Sequence, residues 1–138
     1  MASTPRNYEL VFNRFPELQA RFPSAVSKIV TTSGMAISAA VKVDMAQPKH
    51  GRNYKRHGKS HRASAPGESP AVDTGALVNS IGFELLEQSV GMVFTNQEYG
   101  PALEFGYARM AARPFFEPAL NNERPNFIGR MTQLESNL

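Results

Sequence analysis

Between Pro23 and Pro48 the chain runs without a proline, and its apolar residues Val26, Ile29, Val30, Ile37, Val41 and Met45 recur at steps of three, four and seven. That spacing lines one face of a single long α-helix. Pro23 suits its first turn, where the missing N–H has no use. The helix is predicted to end near Gln47, because Pro48 disfavours helical geometry before it and Gly51 follows. Ser33 and Gly34 interrupt the stripe with small residues, which predicts close approach of another backbone there.

Shorter elements surround this helix. Phe15 to Phe22 reads as a short helix with Pro16 in its first turn, and a strand is allowed before it. Leu77 to Leu85 approximates the alternation of a half-buried strand, and Val90 to Thr95 reads as its antiparallel partner. Tyr99 to Gly106 is an apolar stretch between glycines, room for one helical turn. Pro114 opens a last helix carrying Phe115, Phe116, Leu120, Phe127, Ile128 and Met131, which Pro125 is expected to kink or restart. The order helix, loop, hairpin, helix predicts a small α+β domain, with the long N-terminal helix packed on a small antiparallel sheet and a C-terminal helix beside it.

The whole chain, residues 1–138, is read as one domain. Apolar residues make up 41%, enough for one modest core, and 10 Gly with 10 Pro exceed what a plain helical bundle tolerates. The longest apolar run, Met35 to Val43, is broken by Ser38 and Lys42, so no membrane span is expected. No apolar run follows Met1, so no secretory leader is expected. Cysteine is absent, which removes disulfides, thiolate metal sites and cysteine nucleophiles and fits a reducing compartment.

Charge is unevenly placed. From Pro48 to Arg62 stand six cations and no acid: Lys49, Arg52, Lys55, Arg56, Lys59 and Arg62. The rest of the chain carries nine basic against twelve acidic residues, so a mildly acidic body bears one basic insertion. The insertion also holds His50, His57 and His61, and its one apolar anchor is Tyr54. Together with the Pro- and Gly-rich turn after it, residues 48–70 are predicted to form a flexible loop.

Three short matches imitate chemistry. Asp73-Thr74-Gly75 resembles an aspartic-protease loop, but such enzymes need two carboxylates and an apolar strand feeding each loop, and Pro66 to Pro70 precedes this one. Gly51 to Ser60 ends like a phosphate-binding loop, yet six residues separate its glycines where four are required. His50, His57 and His61 lack a fourth ligand and sit among cations that repel a metal. No metal, cofactor or catalytic residue is assigned. Glu104, an acid between Leu103 and Phe105, is expected to form a structural ion pair with Arg109 or Arg113.

Three longer segments carry more information together. They are Ala71 to Ile81, containing Asp73, Thr74, Gly75, Leu77 and Ser80; then Tyr99 to Gly106, containing Glu104 and Phe105; then Ala112 to Leu120, containing Arg113, Pro114 and Phe115. In this order and spacing, over about residues 24–122, the chain resembles the minor tail component family, the tail-completion or head–tail joining proteins of long-tailed phages. It departs from the family in the long basic insertion and in Tyr107, where a Thr commonly follows Glu-Phe-Gly.

The resemblance implies a structural protein of the virion neck and no enzyme. It implies a ring homo-oligomer around the DNA channel, between a head-completion or stopper protein and a tail terminator or tail tube protein. The protein would act in the virion and pass through the host cytoplasm during assembly. Read residue by residue, the motifs are fold determinants. Asp73 and Gly75 make a turn, Leu77 and Ile81 share one face, Phe105 is an anchor ring beside Gly106, and Phe115 with Phe116 plugs the sheet. The basic residues are assigned to a partner or to DNA. The other function class the residues support is a nucleic-acid-binding module acting through residues 48–62, with Tyr54 stacking on a base.

Overall fold

The computed structural model describes residues 15–137. Along the chain lie α1 (Phe15–Arg21), α2 (Pro23–Met45), β1 (Asn53–Arg56), β2 (Lys59–Arg62), α3 (Ala76–Ser80), β3 (Gly82–Glu87), β4 (Val90–Phe94), α4 (Gly100–Phe105) and α5 (Phe116–Ser136). The fold is α+β: helix α2 packs on α5 and on the β3–β4 hairpin, and a second two-stranded sheet, β1–β2, follows α2. The allowed strand before α1 lies outside the described residues.

Helix α2 forms where its apolar period places it, with Pro23 in its first turn. It has the length and apolar content of a membrane span. Its stripe, however, is covered by the rest of the fold and serves two apolar clusters. Val26 and Val30 meet Met131 of α5, flanked by Phe22, Ile29, Phe127 and Leu134. Val41 and Met45 meet Leu77, Ile81, Phe115 and Ala119.

Ser33 and Gly34 sit between the clusters, and what approaches them is side chain rather than the backbone expected. A Cβ on Gly34 would stand 2.1 Å from the Phe83 ring of β3. Ser33 Oγ accepts a 2.8 Å hydrogen bond from Arg130 Nη1, whose guanidinium also pairs with Glu123. Asn126 Nδ2 donates to the other oxygen of that carboxylate at 3.1 Å. Burial pushes the Glu123 carboxyl up, but Arg130, Asn126 and Ser33 outweigh it and hold it below the usual glutamate range.

Three elements differ from the sequence reading. Leu77 to Leu85 is not one strand: Ala76–Ser80 is a helical turn, and β3 starts at Gly82. Leu77 and Ile81 still share one side, because residues four apart meet on a helical path as well as on a strand. The basic insertion is also not a bare loop. Strands β1 and β2 pair antiparallel, with Tyr54 opposite His61 and Arg56 opposite Lys59.

The connection between those strands is the two residues His57 and Gly58, both with positive φ (51° and 78°), the geometry that two-residue hairpins favour. The rings of Tyr54 and His61 meet edge to face at 5.1 Å, and Arg62 Nε bonds Asn53 Oδ1 across the strands. These contacts offset the repulsion of a cation-rich ribbon. Helix α5 starts at Phe116 rather than Pro114 and passes through Pro125 unbroken. Pro125 and Asn121, whose carbonyl loses its helical donor there, are both exposed.

Candidate functional site

The motif residues gather at the junction of α3, α4 and the start of α5. Gly75 takes φ 83° to turn the chain into α3, with Asn79 N donating back to its carbonyl at 2.9 Å. Thr74 Oγ1 accepts from Ala76 N, and exposed Asp73 belongs to this turn rather than to the end of a strand. Ser80 Oγ donates to Leu77 O and shares a 2.6 Å hydrogen bond with Thr95 Oγ1, which fastens α3 to the end of β4.

Glu104 does something other than the ion pairing expected of it. Its Oε2 accepts from Phe115 N at 2.7 Å and Phe116 N at 3.0 Å, and its Oε1 from Glu117 N at 2.9 Å. Residue Phe115 cannot cap the helix it precedes, so a carboxylate from α4 satisfies the orphan N–H groups at the positive end of α5. Arg113 instead donates from Nε to Ser64 Oγ and from Nη1 to Ala111 O, while its backbone N bonds Leu103 O at 2.6 Å. Pro114 then leads into Phe115, which is 2% exposed against α2 and α3 and tilts onto the half-buried Phe116 ring at 4.5 Å.

Phe105 is no anchor. Its ring is 80% exposed, and Tyr107 two residues on is 74% exposed. Both belong to a tight turn in which Tyr107 and Met110 exchange backbone hydrogen bonds of 3.1 and 2.7 Å. Gly106 enters the turn at φ 81°, where a Cβ would press on Met110 O and Ala112 N, and Ala108 is held at φ 48°. A left-handed alanine costs about 1–2 kcal/mol. The surroundings impose that geometry: Gly67 N bonds Ala112 O, and Arg113 ties both flanks down. The result is a fixed turn with bare aromatic rings.

The basic residues divide. Lys49 turns back into the body, where Nζ bonds Asp44 O at 2.9 Å and Ser69 Oγ at 2.6 Å, closing the C-terminal end of α2. Arg52, Lys55 and Lys59 are exposed on the β1–β2 hairpin, Arg62 is exposed but bonded to Asn53, and Arg56 stands in register opposite Lys59. Tyr54 and His61, opposite each other in the ribbon, border a cleft of about 510 Å³ that Asp73, Thr74 and Tyr99 also line.

His50 pairs with Glu68, whose carboxylate also accepts from Ala65 N and His50 N. The Ala65 N–H foremost, then the His50 ring and N–H, pull the Glu68 carboxyl down to about 2. Among the described residues no three histidines or carboxylates stand where they could hold a metal ion. Within the phosphate-loop look-alike, Asn53–Arg56 and, beyond the turn, Lys59 and Ser60 are committed to strand pairing.

A second concavity, about 550 Å³ and largely apolar, opens between α2, α5 and the β3–β4 hairpin. Val30, Gly34, Phe83, Gly91, Leu120 and Phe127 line it. Sequence reasoning missed this pocket and the exposed turn. The period of α2 marks its stripe as apolar but does not say that Gly34, with the Phe83 ring against it, lines a pocket. The signal for the turn was present in Phe105-Gly106-Tyr107, two rings astride a glycine. No family model, curated protein or solved structure matches the chain.

Proposed function

We propose that this protein is a structural subunit of a phage neck, joining head-completion proteins to the tail as one member of a ring around the DNA channel. The motif resemblance over residues 24–122 supplies the reading, and the α+β fold is the kind that it implies. One observation supports it most. Among the described residues nine hydrophobic side chains are buried, whereas fourteen large ones stay exposed, with the barest two on the turn that Gly106 and Arg113 fix. Apolar surface that is rigidly presented fits a subunit whose remaining burial comes from assembly. The motif residues Glu104, Arg113 and Phe115 serve that presentation, and the role requires no covalent chemistry.

The test is genetic. Inactivating the gene in the phage that encodes the chain should yield filled heads and free tails, rejoined when the wild-type chain is supplied in trans. Normal joined particles without the chain would refute the reading.

The β1–β2 ribbon supports the other class, sequence-independent binding of nucleic acid. The register places Arg56 opposite Lys59, two basic residues at one rung of the ribbon. With Arg52, Lys55 and Arg62 it offers five cations, so log affinity for duplex DNA should fall with log salt at a slope of about −4 to −5. No binding at low salt would remove this class. Binding with the neck phenotype absent would favour it over the ring.

A further inference from the structure

We propose that the Phe105–Met110 turn of one subunit seats in the apolar pocket between α2, α5 and β3–β4 of the next copy of this chain. The inference rests on the ring reading above and names the contact that would build the ring.

The two surfaces match in kind. The turn presents the Phe105 and Tyr107 rings, with Met110 beside them, on a backbone held by Gly67, Leu103 and Ser64. A fixed turn loses little freedom on docking, which is what a preorganised anchor requires. The pocket, about 550 Å³, has an apolar floor of Val30 and Phe83 and a rim that includes exposed Leu120 and Val90. That space suits two aromatic side chains rather than a long peptide. None of the turn's own residues lines the pocket of the same chain.

Charge agrees with a second copy as occupant. Arg109, at the tip of the turn, has no side-chain partner among the described residues. Glu87, which stands in register with Val90 at the pocket's edge, has none among them either. Seating the turn sets Arg109 beside Glu87 of the next copy. Arg124 on the α5 side of the pocket is then placed to donate to the incoming Tyr107 hydroxyl.

Turn and pocket are different surfaces, so one such contact is head-to-tail, and its repetition closes a ring when the rotation allows. Two aromatic side chains bury about 150–250 Å² each. That falls short of the roughly 800 Å² per partner of a stable interface, so an isolated pair of copies is weakly held and the closed ring supplies the rest.

The chain has no cysteine, so two placed thiols report the contact cleanly. Full-length Tyr107→Cys and Leu120→Cys variants are treated with a short bis-maleimide at millimolar protein. Neither alone should cross-link, their mixture should give a covalent dimer, and the double variant should give a ladder of higher oligomers. Adding Phe105→Ser should reduce the ladder about tenfold or more while leaving the thermal midpoint unchanged, since that ring is exposed in the subunit.

A double variant that stops at dimer would mean reciprocal two-fold docking and overturn the proposal. So would dimers from either single variant, or a ladder no stronger than that of a Gln133→Cys/Tyr107→Cys control. The outcomes separate the two readings. No ladder, with unjoined heads and tails in the gene-inactivated phage, removes this contact and leaves the neck role. A ladder with normal particles keeps the contact and removes the neck role.

Discussion

Replacing Glu104 by Ala should destabilise the protein by about 2–4 kcal/mol, although residue 104 is only half-buried. The carboxylate receives three backbone N–H groups at the start of α5, and those of Phe115 and Phe116 are partly buried. Each partly buried donor left without a partner costs about 1 kcal/mol or more, and the lost charge at the helix N-terminus adds about 0.3–1 kcal/mol. Glu104→Gln keeps one acceptor oxygen but not the charge, and should cost about half as much. Urea titration should show the midpoint falling at unchanged slope, and the thermal midpoint should drop about 4 °C per kcal/mol. Arg109→Ala is the control, because an ion pair would lose as much from either partner, whereas capping predicts a change within about 0.5 kcal/mol. Equal losses in Glu104→Ala and Arg109→Ala, or no loss in Glu104→Ala, would refute the capping argument.

Phe115→Ala should cost about 3–5 kcal/mol and Phe116→Ala roughly half that, read by denaturant midpoint, because only the first ring is fully enclosed. Glu68 and Glu123 are both held below the ordinary glutamate value of 4.5, so their contribution is present above that value and lost as pH falls. For Glu68 the loss runs from about 4.5 down to about 2, and Glu68→Gln should flatten the pH dependence of the urea midpoint over that range. Replacing residues 52–63 by a short Gly-Ser link should leave the near-ultraviolet dichroism of the body intact. Head–tail joining should weaken, and added salt should deepen the defect in partly truncated variants, since exposed cations act on encounter and orientation.

How much of this was legible in the sequence depends on the range of the physics involved. Helix α2 was legible because a period of 3.6 residues is written locally, and so was the β3–β4 hairpin. The Ala76–Ser80 turn was not, because Leu77 and Ile81 satisfy helix and strand patterns alike. In residues 48–62 the charge run hid a hairpin whose signal was the His57-Gly58 pair, two residues that accept positive φ. Glu104 was recognised as an acid out of place, but its partner was sought among cations. The partners are backbone N–H groups 11 to 13 residues away, which no side-chain pattern announces. Phe105 was misassigned for a related reason: its side chain is of a core type, yet its neighbour Glu104 is the residue fastened to the start of α5, and the Phe105 ring is left 80% exposed.

The central claim, that this chain is a ring-forming neck subunit, is tested most directly by electron cryomicroscopy of the neck of the phage that encodes it. A ring of density is expected between head and tail, into which α2, α5 and the β3–β4 hairpin fit as one body. The Phe105–Tyr107 turn of each copy should be seated in its neighbour and the β1–β2 ribbons should lie against DNA or an adjoining subunit. A neck whose density is fully accounted for by other chains, with this protein absent from the particle, would contradict it.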